Sequence, residues 1–285
     1  MNLSILEDKE HILAIIKEKL GREHVDYTKR LDSIKKENRR GIKWQAAGVL
    51  LPLYFKPAGE GRNTKDEFVL QLIKRSSAVS QGGDISAPGG MLNPYVDNFF
   101  KSLILMGIPP VLRGEARRHT IQKGNHEYSA VALFLANALR ESWEEIRLNP
   151  FNVNFLGALP FQDLFLFTRT IFPIIGEVKK PWQFRPNTEV DKVIEIPLHA
   201  FFKADNYATY CVRSATGAEE SYFESPCFIC QDEEGLDEIL WGATLRIVMN
   251  FIEKVFPFAV PEPASGKFVN KTLYPEYLKG NGASR

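Results

Sequence analysis

The sequence predicts a mixed α/β sandwich in one domain. Three observations predict it. Compact apolar runs of strand length open the body of the chain, at 44–54 and 68–73. One long helical pattern follows, over about 128–147. Short strand patterns and one amphipathic helix then close the chain.

Taken in order, residues 3–40 are charged, with Leu13, Ile15, Ile16 and Leu20 spaced for one amphipathic helix before a Lys/Arg-rich stretch to Arg40. The run at 44–54 reads as a buried strand, and a Gly-containing turn at 58–65 leads to its partner at 68–73. Residues 82–90 hold four glycines, a need for positive φ or for close backbone approach. Residues 91–126 combine an apolar piece, Pro109-Pro110 and a basic cluster of Arg113, Arg117, Arg118, His119 and Lys123. Val131, Leu135, Ala138, Leu139 and Trp143 mark the core side of the central helix. Strands alternate with breaks at Pro160 and Pro173 over 151–177, and more follow at 193–198, 207–212 and 222–230. Leu245, Val248, Met249, Ile252 and Val255 share one side of a helix at 241–256. A Pro/Gly-rich tail runs from Pro261.

The net charge of +1, from 36 basic and 35 acidic side chains, makes no case for a nucleic-acid partner. No apolar run approaches the ~20 residues of a membrane helix. The first residues lack the charged-then-apolar order of a signal peptide, so a cytoplasmic protein is expected. Three cysteines make no disulfide framework; the C-x-x-C pair Cys227 and Cys230 encloses apolar residues and reads as buried structural thiols.

The chemistry points to Arg140-Glu141-Ser142-Trp143-Glu144-Glu145. Glu141 lies three and four residues before Glu144 and Glu145, offsets that share a helix face. Like charges so placed repel, and a hard cation with oxygen ligands, Mg²⁺ or Mn²⁺, relieves them. Such ions serve enzymes that act on phosphates. The plainer reading is a solvated acidic face with an ordinary Arg140–Glu144 pair.

Arg140, Glu141, Glu144, Glu145 and Leu148 follow the second half of the pattern G-x5-E-x7-R-E-U-x-E-E-x-G-U, where U is bulky and apolar, and Gly90 suits its opening glycine. The chain therefore resembles the Nudix hydrolases, which implies an α/β/α sandwich with a mixed sheet. It is most similar to their coenzyme A pyrophosphatase branch through four further collinear stretches: 46–53, 72–76 with 83–90, 172–176 with 187–198, and 241–244. The chain also departs from the pattern. Gly90 and Arg140 lie 50 positions apart against 14 in the pattern, so 36 residues interrupt it. Ala132 stands at the first glutamate, with Glu127 nearby in the inserted stretch. Ser142 replaces an apolar residue and Arg147 the closing glycine, while Asp84 and Ala87 depart from the branch's signature.

The resemblance implies three parts: an N-terminal helical extension (1–43), a hydrolase domain (44–260, with 91–126 inserted) and a tail (261–285). It implies that Glu141, Glu144, Glu145 and the Gly90 carbonyl bind Mg²⁺ or Mn²⁺, and that Arg140 orients a glutamate. A base from outside the helix is expected at Glu189, then Glu177, then Asp163. Arg75, Ser76, Gly89 and Gly90 are expected at the substrate's phosphates, with Arg117 and Arg118 on a phosphate-binding flap. The implied substrate is coenzyme A or an acyl-CoA, cleaved to 3′,5′-ADP and a 4′-phosphopantetheine species. Another nucleoside diphosphate derivative (ADP-ribose, NADH or a nucleoside triphosphate) and a binding module without catalysis are the alternatives. The resemblance also admits a homodimer.

Overall fold

A computed structural model describes residues 4–59, 65–214, 221–257, 261, 266–273 and 277. Most of the expected tail, and part of the turn at 58–65, lie outside the described residues.

The chain begins with two helices, α1 (Lys9–Arg22) and α2 (Tyr27–Arg39), where the sequence suggests one. The break is not written locally. Asp26 adopts a left-handed conformation (φ 53°) and gives α2 no side-chain cap. Glu127, 100 residues on, instead accepts from the Tyr27 and Thr28 N–H groups at 2.6 and 3.1 Å. It meets the donors a helix start leaves open. Next come β1 (Gln45–Lys56), β2 (Glu67–Arg75), β3 (Ile85–Ser86) and β4 (Gly89–Met91). The stretch 91–126 folds as α3 (Pro94–Leu105) and α4 (Gly114–Gln122). Asn93 caps α3 through the Tyr95 and Val96 N–H groups, with Pro94 at the first helical position. The central helix is α5 (Asn125–Ile146), closed by Arg147 in the left-handed conformation (φ 59°) that a glycine usually supplies. The chain then forms β5 (Val153–Ala158), β6 (Gln162–Leu164), β7 (Arg169–Val178), β8 (Val190–Pro197), β9 (Tyr207–Ser214), β10 (Ser221–Gln231), β11 (Asp237–Trp241), α6 (Gly242–Val255) and β12 (Phe268–Leu273). The mixed α/β class holds.

Two compact units contain these elements. In the first (2–55 and 87–185), β1 runs parallel to β7 and antiparallel to β4, while β5 and β6 pair antiparallel with β7. The break expected at Pro173 is absent: β7 passes through it, opposite Val49. A proline removes one donor from a ladder, not the acceptor. The Pro173 carbonyl still accepts from the Leu159 N–H (3.1 Å) and the Tyr27 hydroxyl (2.8 Å). The Phe134 ring on α5 stacks on Phe172 at 3.7 Å, with Tyr27 edge-on to both. α2 is thus built into this core, and α1 packs its buried Ile12, Leu13, Ile16 and Leu20 side against the same unit, at β5.

In the second unit (56–86 and 186–285), β2 pairs with β3 and β8. A second sheet has the order β11-β10-β9-β12 and packs against α6. Cys211, Cys227 and Cys230 are buried free thiols, as read from the apolar C-x-x-C stretch. Burial pushes Cys227 up to about 11 and Cys230 up to about 12, so neither is poised as a thiolate. Among the described residues no helix is long and apolar enough to cross a membrane.

Candidate active site

The acidic stretch forms the last turns of α5, and β4 lies against it. The glycines of β4 do different work. At Gly89 (φ 154°) a Cβ falls 2.6 Å from the Val49 Cα and closer still to the Gly48 carbonyl oxygen. Both are backbone atoms that cannot step aside. At Gly90 a Cβ falls 2.5 Å from the Glu141 carboxyl carbon, at the end of a flexible side chain. Gly89 therefore lets β4 reach β1, and Gly90 leaves room for a carboxylate against the backbone. Gly89→Ala is expected to destabilise the protein by about 2 kcal/mol or more. Gly90→Ala is expected to cost under about 1 kcal/mol while displacing Glu141. Urea unfolding of both variants checks this, and equal losses refute the distinction.

Asn137 clamps these pieces from the middle of α5. Fully buried, it accepts from the Gly48 N–H at 2.6 Å and donates to the Met91 carbonyl at 3.2 Å. Arg140, one turn on, is the hub. Its Nε donates to Asp97 at 2.7 Å, and its terminal nitrogens reach Asp97 (3.3 Å), Glu141 (2.7 Å), Glu144 (3.0 Å) and the Met91 carbonyl (3.2 Å). Burial opposes its charge, but the Asp97 hydrogen bond and the charges of Glu141 and Asp97 outweigh that and hold the guanidinium above its ordinary range. Glu145 is buried and accepts from the Gly89 N–H at 2.8 Å. Glu144 is half exposed.

Asp97 and Asn137 are the residues sequence reasoning missed. Counting back from Arg140 put the pattern's first acid at Ala132, which is fully buried in the core. Glu127, the nearby alternative, caps α2. The carboxylate that meets Arg140 is Asp97, seven positions after Gly90, on the first turn of α3. It is itself fully buried and accepts from the Asn93 N–H at 2.7 Å. One signal could have found it: a lone acid among Tyr95, Val96, Phe99 and Phe100 is poorly placed for solvent.

Burial, first, and the nearby charges of Glu144 and Asp97 raise the Glu141 carboxyl above its ordinary 4.5, against the opposing pull of Arg140. An acid whose folded value is raised carries no penalty below its unfolded value. It weakens the fold as pH climbs through the raised one. Glu141→Gln is therefore expected to raise the melting temperature at mildly alkaline pH and to match the unsubstituted protein near pH ~4. Melting curves across that span check it; a variant less stable at alkaline pH contradicts it.

Glu141, Glu144 and Glu145, on the last turns of α5, are oxygen donors of the kind a hard divalent ion takes. Gly90 also leaves the Glu141 carboxylate open against the backbone, so the residues fit such an ion in kind. Among the described residues no three His, Cys, Asp or Glu side chains are gathered into a ready-made cage. Arg140 draws Glu141 and Glu144 to itself, and the Gly89 N–H holds Glu145.

Arg75, Ser76 and Glu189 belong to the second unit. There the Ser76 N–H donates to the Glu189 carbonyl at 2.8 Å, and Arg75 donates to the Ser80 carbonyl at 3.0 Å. The Glu189 side chain is exposed. Glu177 is paired with Lys9 (3.0 Å), and Asp163 with Arg30 (2.9 Å). Both acids thus hold the N-terminal helices. Arg117 donates to the Tyr128 hydroxyl (3.2 Å) and Arg118 to Glu115 (3.4 Å). Tyr128 is on the first turn of α5, so by the helical rise Arg117 sits about 20 Å from Glu141 along the axis. Lys123 caps α1 through the Gly21 carbonyl (2.7 Å), and His119 contacts the Lys17 carbonyl (3.2 Å). The basic cluster is not brought to the carboxylates.

No family model matches the sequence, and no curated protein matches it. Solved structures do. A Nudix hydrolase from M. smegmatis, RenU, is 14% identical over 53% of this chain and 70% of its own, with a TM-score of 0.33. An Ap4A hydrolase of C. elegans is 12% identical over 54% and 81%, with a TM-score of 0.33. A NUDIX hydrolase from Alicyclobacillus acidocaldarius is 11% identical over 54% and 79%, with a TM-score of 0.34.

Proposed function

We propose that the protein is a Nudix-type hydrolase that splits a phosphoanhydride, with coenzyme A or an acyl-CoA as substrate. The observation that carries the reading is the packing of the Glu141 carboxylate against Gly90, with Glu144 and Glu145 on the same turns of α5. Five collinear stretches that resemble the Nudix hydrolases and their coenzyme A pyrophosphatase branch support it and supply the substrate class.

In this reading Glu141, Glu144, Glu145 and the Gly90 carbonyl hold Mg²⁺ or Mn²⁺. The bound ion supplies charge neutralisation on the phosphate oxygens. Arg140 positions Glu141 and Glu144, and Asp97 keeps the guanidinium anchored when those carboxylates turn to a cation. The resemblance alone assigns Arg75 and Ser76 to the phosphates and Glu189 to orienting the attacking water. Water adds across one P–O–P bridge, so the oxygen of water ends on one phosphorus and the bridging oxygen leaves with the other. The products are two phosphate monoesters, 3′,5′-ADP and 4′-phosphopantetheine.

A panel of coenzyme A, ADP-ribose, NADH and ATP with Mg²⁺ or Mn²⁺, read by product mass, tests this. The pair of masses from coenzyme A is expected. Cleavage of another member alone replaces the substrate class, and binding without turnover replaces the enzyme with a binding module.

A further inference from the structure

The outer side of α3 carries an apolar stripe left in solvent. Tyr95 is 90% exposed, Phe99 62% and Met106 68%, with Val96, Phe100 and Ile108 beside them. Tyr95, Phe99, Ser102 and Met106 follow at steps of four, three and four, the spacing that keeps one side of a helix aligned. The helix has two charged residues: Asp97 is buried on the opposite side against Arg140, and Lys101 donates to Asn98. The stripe itself is uncharged.

Its size matters. At ~150–250 Å² for a fully exposed ring, the three aromatics leave about 400 Å² in water. Val96, Met106 and Ile108 bring the face to about 600 Å², the top of the range for the largest apolar patch on a monomer. That approaches the ~800 Å² each partner contributes to a stable interface.

We propose that this face joins two copies of the chain, α3 against α3 across a two-fold axis. An uncharged, straight stripe is self-complementary, as a two-fold contact requires. It offers no charge by which a differently charged partner is chosen. Ser102, small and central, lets two helices approach. A helix that lies on lipid carries Lys and Arg along its polar side, and α3 has one lysine. The Asp97–Arg140 pair anchors α3 from behind, so little ordering is lost on association. The proposal does not rest on the reaction proposed above.

Sedimentation equilibrium of the full chain tests it, with the variants Tyr95→Lys/Phe99→Lys and Met106→Lys. The expected result is a dimer whose dissociation constant rises at least ~100-fold in the double variant, with an unchanged far-ultraviolet circular dichroism spectrum. A chain that stays monomeric to ~100 µM overturns the proposal, as does a dimer that both variants leave intact. So does a monomer that binds phosphatidylcholine–phosphatidylserine vesicles and loses that binding in the double variant.

Discussion

Arg140→Met is expected to destabilise the protein by about 3–5 kcal/mol, more than any other single change in the acidic cluster. The cost arises at its partner. Asp97 is fully buried, and Arg140 supplies two of its three described hydrogen bonds; the third is the Asn93 N–H. Without the guanidinium a charged carboxylate is left in the protein interior, where it either pays several kcal/mol of desolvation or takes up a proton. Methionine keeps much of the side-chain volume, so the loss reports charge rather than a cavity. Asp97→Asn in the same chain removes the stranded charge, so the double variant is expected to recover part of the loss. Urea unfolding gives the cycle: a negative coupling well outside ~0.5 kcal/mol identifies a buried pair. If the single variants simply add, the Arg140–Asp97 contact is not what holds α3 to α5.

How far the sequence carries depends on the range over which each feature is written. The central helix is local: apolar spacing from Val131 to Leu139 and three acids at helical offsets place it within a few residues of Asn125–Ile146, although Trp143, expected in the core, is 43% exposed. The apolar runs behind β1, β2, β8, β9 and β10 are local too. The start of α2 is not, because Glu127 caps it from 100 residues away. Asp97 escaped for a related reason. It acts on Arg140, 43 positions further on, from a helix whose other residues argue only for apolar contact. A cluster of basic residues announces charge but not direction. Lys123 points at the carbonyls ending α1, an acceptor set that sequence cannot display. The need for glycine at 89 and 90 was legible. Which of them meets backbone and which meets a carboxylate follows only from the register of β4 on β1.

The largest loss of activity with the least loss of stability is expected at Glu144. Its side chain is half exposed and its described contact is to Arg140 at 3.0 Å, so Glu144→Gln is expected to change stability by under ~0.5 kcal/mol. Glu145 cannot be separated from the fold in this way, since it holds the Gly89 N–H, and at Glu141 the buried carboxyl makes the effect on stability depend on pH. Glutamine keeps the shape and one oxygen but removes the charge a divalent ion needs from its ligand. Turnover in Mg²⁺ is expected to fall on the order of 10³-fold, about 4 kcal/mol of transition-state stabilisation. A weakened ligand set also shifts the metal dependence, so half-maximal activity should require more Mn²⁺, and manganese binding followed by electron paramagnetic resonance should weaken in parallel. A variant with the same turnover and the same manganese affinity shows that Glu144 is a solvated acid paired with Arg140 and holds no ion. The phosphoanhydride reading then loses one of the three carboxylates it assigns to the ion.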